Sequence, residues 1–265
     1  MGAAAPRKEI VTSADGTPIA CFVSGAGPSL VLVHGAGSGH EAWDSVVPLL
    51  APRLRMCAYD RRGRGESGDT QPYAVEREVE DLHAVVGHAG APVSLYGHSS
   101  GAILALMAAA AGAPLERLIL YEPPLFFELP PDLPERLAAV AAAGDRDGAV
   151  ATWAREGSGR SEAEIDLMRA SPRWGRWLAV AHTLAYDTRI ARDYVFVRDR
   201  LASLRLPTLF LLGGESPARM ASATNELVRA ITGSRVAVLP GQGHDAHQRA
   251  PKLLAREIAA FLSER

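Results

Sequence analysis

Apolar residues along this chain follow two rhythms. The first is a set of short, nearly continuous apolar runs at residues 29–33, 55–59, 91–96, 115–121, 207–212 and 235–239. Runs of this length, rich in Val, Leu and Ile and bounded by Gly, Pro or charge, predict strands buried on both faces. The second is apolar residues at helical spacing between those runs. Trp43, Val46, Val47 and Leu50 predict one helix, followed by Pro52. Val75, Val79, Leu82 and Val86 predict a helix over 74–87, and further helices are read over 103–111, 221–231 and 251–262. At the front, 10–13 and 18–23 read as a hairpin around Asp15-Gly16. Strands alternating with helices predict an α/β fold, a doubly wound and mostly parallel sheet.

The rhythm breaks after the sixth strand. Residues 125–204 contain little that reads as a buried strand. They hold helix-like segments at 134–143, 146–155, 161–170, 172–183 and 190–201, and three of the four tryptophans, Trp153, Trp174 and Trp177. We therefore expect a core made of residues 1–124 and 205–265, and a helical cap, 125–204. The cap should lie over the strand C-termini, where open α/β sheets bind ligands.

The most informative stretch is Gly97-His98-Ser99-Ser100-Gly101-Ala102. It joins a predicted strand directly to a predicted helix and carries the pattern G-x-S-x-G of a nucleophile elbow. A strand turning at once into a helix strains the backbone at the serine, and side chains at the flanking glycines would strike neighbouring elements. Ser99 Oγ is then displayed at a helix N-terminus, where N–H groups and the helix dipole favour a developing oxyanion.

Composition narrows the classes. With 265 residues, 48% hydrophobic and 22% charged, the chain suits one large globular domain or a domain with an insertion. A net charge of −2 gives no reason to expect nucleic acid or an anionic membrane as a partner. The longest apolar run, 102–111, is too short to span a bilayer. Residues 1–9 show no apolar core of a secretory leader, and Met1-Gly2 lacks a Ser or Thr where an acylation signal needs one, since Pro6 stands there. Cys21 and Cys57 fall in separate predicted strands and are expected as buried free thiols, which suits a reducing, cytoplasmic setting. No metal and no cofactor are expected, because no ligand spacing or nucleotide-binding loop is present. The run Asp60-Arg61-Arg62-Gly63-Arg64-Gly65 reads as a structural turn with Asp60 and the arginines paired to each other, in preference to an anion site.

Taken together, four stretches resemble the α/β-hydrolase superfamily: His34-Gly35 after the third strand, Asp60-Arg61-Arg62-Gly63-x-Gly65-x-Ser67, the elbow at Ser99, and Gly241-Gln242-Gly243-His244 after the last strand. The order of nucleophile first and histidine last also fits that fold. The resemblance implies Ser99 as nucleophile and His244 as its base, since a serine hydroxyl needs a base to take its proton. It implies an oxyanion hole from the Ser100 and Ala36 N–H groups, with Gly37 the neighbouring alternative to Ala36. His34 is expected to prop that loop. Gly35, Gly37, His98, Trp174, Trp177 and His182 are assigned to substrate binding, although the local turn points His98 away from the nucleophile.

The acid departs from the common pattern. Most relatives place Asp after the penultimate strand, where this chain reads Gly213-Gly214-Glu215-Ser216-Pro217, with Ser216 at the usual place. Serine cannot stabilise an imidazolium as a carboxylate does. Two substitutes remain, Glu122 at the end of the sixth strand and Glu215, and Glu122 is preferred. A Glu at that strand end and the sequence Ser99-Ser100-Gly101-Ala102 also resemble zearalenone-type lactonases, though the His34-Gly35 turn differs from theirs. The expectation is a cofactor-free serine hydrolase acting on a small-molecule ester or lactone, with a homodimer admitted. A C–C hydrolase, perhydrolase or thioesterase on the same triad is the alternative, and a small-molecule receptor of the same fold is the alternative outside catalysis.

Overall fold

A computed structural model of the chain describes residues 5–126 and 128–264. Met1 and Gly2 of the acylation reading, and the start of the 1–9 stretch, lie outside the described residues. Its centre is an eight-stranded sheet, in the order β1-β2-β4-β3-β5-β6-β7-β8. The strands are β1 (Arg7–Thr12), β2 (Pro18–Ser24), β3 (Ser29–Val33), β4 (Arg55–Tyr59), β5 (Val93–His98), β6 (Arg117–Tyr121), β7 (Thr208–Gly213) and β8 (Arg235–Leu239). β1 and β2 pair antiparallel, β2 meets β4 antiparallel, and every later pairing is parallel.

The apolar runs become strands because both faces of the sheet are covered. Side chains alternate between two cores, as a pleated strand requires. Val31, Val33, Leu95, Leu118, Leu120 and Phe210 enter one core, while Leu30, Leu32, Tyr96, Ile119, Tyr121, Leu209 and Leu211 enter the other. The helices are α1 (Val47–Leu50), α2 (Val75–Ala89), α3 (Ser100–Ala110), α4 (Leu133–Ala142), α5 (Arg146–Thr152), α6 (Glu162–Ala170), α7 (Trp174–Ala179), α8 (Leu184–Asp193), α9 (Arg198–Ala202), α10 (Ala218–Ala230), α11 (Ala246–Arg249) and α12 (Pro251–Leu262). α2, α3 and α10 cover the first core; Trp43, Leu50 and α12 cover the second. No helix among the described residues is long and apolar enough to cross a membrane. Cys21 and Cys57 are buried free thiols on β2 and β4.

Three helical expectations are corrected. The helix read over 172–183 is α7, which stops at Ala179, followed by a separate 3-10 turn, Ala181–Thr183. The single helix through Trp43 and Leu50 is broken into a 3-10 turn, His40–Trp43, and the short α1. Pro48 lacks the N–H that a continuous helix would donate back to Asp44, so Pro48 sits instead in the first turn of a new helix. The helix read over 190–201 is two elements. α8 starts earlier, at Leu184, and stops at Asp193; Tyr194 is extended, and α9 begins only at Arg198. The β-branched pair in Val195-Phe196-Val197 disfavours helix between them.

Between β6 and β7 lie α4 to α9, a helical insert with its own apolar cluster of Leu133, Leu137, Ala149, Val150, Ala181, Leu184 and Ala185. Ala36, from the loop after β3, packs against that cluster beside Trp153, Trp174 and Trp177. The insert thus sits over the loop that follows β3.

Candidate active site

Ser99 directly follows β5 and immediately precedes α3, with φ 56° and ψ −126°. A non-glycine residue with positive φ is strained, and it persists because its surroundings leave no alternative. A Cβ on Gly97 would lie 2.5 Å from the Gly101 carbonyl oxygen, and one on Gly101 would lie 2.5 Å from that of His34. Those contacts are the steric reason for the two glycines. The Ser99 N–H donates to Tyr121 O at 2.9 Å, which fixes the turn to β6. Neither the Ser100 nor the Ala36 N–H donates to another backbone group among the described residues.

Glu122 follows β6 and is the second strained residue, with φ 47°. Its side chain is fully buried. Oε2 accepts from His244 Nδ1 at 2.6 Å, and Oε1 accepts from the Gly213 N–H at 2.7 Å. Burial pushes the carboxyl pKa up, but the His244 hydrogen bond and charge, with Ser216 and the Gly213 N–H, outweigh it and hold it below the ordinary carboxylate value. A carboxylate on Nδ1 fixes the Nδ1–H tautomer and leaves Nε2 as the basic nitrogen. Glu215 is exposed, and its N–H is spent on Gln242 O. Ser216, in the usual place of the acid, packs its Oγ against Gly213 and Gly243.

The loop carrying His244 is tied down by two donors that the sequence reading missed in this role. Tyr121 Oη donates to Gly243 O, and His98 Nε2–H donates to His244 O at 2.9 Å. His98 is therefore corrected from a substrate-binding residue to a support of this loop. It is buried, edge-on to Trp43 and Tyr121, with its ring centroid 4.6 Å from those of His244 and His247. Burial, followed by the neighbouring His244, pulls its pKa down to about 4, so it is neutral and keeps a single N–H.

Gly35 faces Ser99, and a Cβ there would lie 2.9 Å from Ser99 Cβ. Gly37, with φ 65°, lies flat under Trp177, where an added Cβ would fall 1.9 Å from a ring carbon. Trp177 packs in turn on Trp153, ring centroids 5.0 Å apart. Trp174 is held within the insert, its indole N–H donating to Asp147 at 3.1 Å under the Arg169 guanidinium. His182 is part-exposed at the seam between insert and core, with Nε2 4.0 Å from Asp69 and its ring edge-on to Tyr186.

His34 holds the loop after β3. Its Nδ1–H donates to Gly35 O at 2.9 Å, and its Nε2 accepts from the Arg61 N–H at 3.2 Å. The expected pairing of Asp60 with the arginines is not what forms. Asp60 accepts from the His40 N–H and Nδ1 and from the Glu66 N–H. Arg61 pairs with Glu78 and Asp187, Arg62 with Asp81 and Asp15, and Arg64 with Asp187. Glu78 and Asp81 lie one turn apart on α2, and Asp187 comes from α8, so no local spacing announces them. Arg61, Arg62 and Arg64 are fully buried, which removes them as a surface for an anionic ligand.

A serine on a strand-to-helix elbow, a histidine held by a buried glutamate and a mostly parallel sheet covered on both faces define a protein of the α/β-hydrolase fold. The alpha/beta hydrolase family model matches residues 30–257, and the chain belongs to that family. It superposes with a TM-score of 0.90 on the crystal structure of an alpha/beta hydrolase from Sphaerobacter thermophilus, at 42% identity over 96% of this chain and 100% of the other. It is 32% identical over 209 residues to the N-formylmaleamate deformylase of Pseudomonas putida, 72% of each chain. A segment of 110 residues is 40% identical to the probable oxidoreductase EphD of Mycobacterium tuberculosis; it is 39% of this chain and 19% of that longer protein.

Proposed function

We propose that the protein is a serine hydrolase that cleaves carboxylic esters, including lactones, through an acyl-enzyme. Ser99 Oγ attacks the carbonyl while His244 Nε2 takes its proton, and Glu122 stabilises the imidazolium through Nδ1–H. The Ala36 and Ser100 N–H groups receive the oxyanion. His244 then protonates the leaving alkoxide, and a water, deprotonated by the same nitrogen, releases the acid and restores Ser99. The observation that carries this reading is the 2.6 Å contact from His244 Nδ1 to a buried carboxylate just after β6, the strand that pairs with β5 below the elbow serine.

The helical insert acts as a cap. Trp177 over Gly37, backed by Trp153, places an aromatic surface beside the proposed oxyanion loop. That surface suits a planar or aromatic group on the substrate, and supports a lactone or ester of aromatic or polyketide type, such as zearalenone, as the narrower substrate class.

The test is hydrolysis of aryl acyl esters, small lactones, resorcylic macrolactones and N-formyl amides, wild type beside Ser99→Ala. Ester or lactone hydrolysis that disappears in the variant is expected. A preference for N-formyl amides, the bond type in the name of the Pseudomonas relative, would overturn the ester assignment. Activity surviving in Ser99→Ala would overturn the mechanism.

A further inference from the structure

Beneath the elbow lies a cluster of four charges that the catalytic reading does not use. Arg61, Arg64, Glu78 and Asp187 have side chains at most 2% exposed. Arg61 grips Glu78 with two parallel bonds, Nε to Oε2 at 2.7 Å and Nη2 to Oε1 at 2.8 Å. Its Nη1 donates to Asp187 Oδ1 at 2.8 Å, and Arg64 Nη2 donates to Asp187 Oδ2 at 2.8 Å. Tyr73 Oη adds a bond to Glu78 Oε1 at 3.0 Å. Two cations and two anions leave the cluster neutral.

Buried ion pairs are a poor way to stabilise a fold, because desolvation consumes most of the Coulombic gain. Where the cluster ends is more telling. Arg61 Nη1 also donates to His34 O and to Ser100 Oγ, both at 3.2 Å, and the Ser100 hydroxyl donates to Asp187 Oδ1 at 2.8 Å. The Arg61 main chain adds the bond to His34 Nε2. One guanidinium therefore touches both segments that present the proposed oxyanion donors: the end of β3, two residues before Ala36, and the first residue of α3. Asp187 belongs to α8 in the cap, so the same cluster is shared between cap and core.

We infer that Arg61 and Asp187 are positioning residues that hold the two halves of the oxyanion hole in register and make that register depend on the seated cap. The inference rests on the serine-hydrolase reading above. Unseating α8 removes the acceptor of the Ser100 hydroxyl and leaves Arg61 and Arg64 sharing one carboxylate, Glu78. The donors then lose their fixed separation, and a hole works only when its donors are already in place as charge develops. Burial pushes the Asp187 pKa up, but Arg64 and Arg61 hold it at about 2, so this acceptor stays charged through the neutral range.

The same turn supplies an internal control. Arg62 pairs with Asp81 by two bonds of 2.7 Å and is buried to the same degree. Neither residue bonds to His34 or to Ser100. Asp81→Asn should lower thermal stability without changing kcat.

The experiment compares Asp187→Asn, Ser100→Ala and Asp81→Asn with wild type on the best ester of the panel. It measures kcat, KM, melting temperature and the affinity for phenylboronic acid, which adds to Ser99 and places a tetrahedral oxygen in the hole. The expected result is that Asp187→Asn and Ser100→Ala lose about 10- to 100-fold in kcat, short of the ~10²–10³-fold for deleting a donor outright. KM should stay within about threefold, and boronic acid affinity should fall in step with kcat, as for an interaction made chiefly in the transition state. Ser100→Ala removes one hydroxyl and decides the matter if Asp187→Asn does not fold. The inference is overturned if the folded variants keep kcat within about twofold, or if Asp81→Asn loses as much. Those outcomes leave Ser99-dependent hydrolysis intact. Loss of the Ser99 dependence itself would remove the underlying reading, and this one with it.

Discussion

Replacing Glu122 by Gln tests the acid assignment, and the structure gives the size of the effect. Glu122 uses both oxygens, one on His244 Nδ1–H and one on the buried Gly213 N–H. A glutamine has one acceptor and one donor at these two places. With its oxygen toward Gly213, its NH₂ group meets Nδ1 and forces the tautomer whose Nε2 carries the proton, which cannot accept one from Ser99. With its oxygen toward His244, its NH₂ group faces the Gly213 N–H, donor against donor in a buried space. Either arrangement also removes the charge that stabilises the imidazolium. At about 4 Å between charge centres and an effective dielectric near 20, that interaction is worth roughly 4 kcal/mol, or about 10³-fold in rate. The tautomer error raises the loss toward ~10⁴-fold, as in serine proteases with the matching change. Steady-state kinetics on the best ester, with circular dichroism to establish folding, supply the check. Glu215→Gln is expected to stay within about twofold of wild type. The reasoning fails if folded Glu122→Gln keeps kcat within tenfold of wild type while Glu215→Gln loses orders of magnitude.

Three more outcomes are expected. Ser99→Ala should lower kcat by about 10⁴-fold or more while the melting temperature holds or rises, because a residue in a strained turn loses only its nucleophile; residual turnover near wild type would refute it. Gly37→Ala places a Cβ into the Trp177 ring and strains a positive φ, so it should destabilise by about 1–3 kcal/mol as overpacking does. Trp177→Ala in the same chain should return most of that loss, and a purely additive double variant would argue against the contact. Acid should unfold the protein early: burial is the leading cause that lowers the pKa of His34 to about 3, His98 to about 4 and His247 to about 2, from 6.5. Below 6.5 the unfolded chain binds these protons and the folded chain does not, so stability falls as pH falls. Each histidine removes about 1.4 kcal/mol per pH unit there, or roughly 6 kcal/mol for the three between pH 8 and pH 5. Urea midpoints that do not move between pH 8 and pH 5 would contradict this.

Much of the fold was legible because the signals are local. β3, β4 and β8 appear at the residues their apolar runs mark, and Ser99 occupies the strained turn that Gly97 and Gly101 announce by their lack of side chains. The helices blurred where a local competitor intervened, as at Pro48 and at Val195-Phe196-Val197. The site was legible only where its residues lie in strand-end motifs. Glu122 was preferred over Glu215 from its strand end, but its burial beside His244, with Glu215 left in solvent, shows only in the packed chain. The arginine turn shows the limit most clearly. Its sequence fixes three cations in a short loop, and pairing with Asp60 was the local solution. The partners are instead Glu78, Asp81 and Asp187, the last of them 126 residues from Arg61. Hydrophobic period, turn chemistry and steric need act between near neighbours, so the sequence by itself determined the strands, the elbow and the candidate nucleophile and base. A buried charge takes whichever opposite charge the packed chain brings within reach, so only the tertiary structure decided which carboxylate meets His244, where His98 turns, and what stands behind the loop that follows β3.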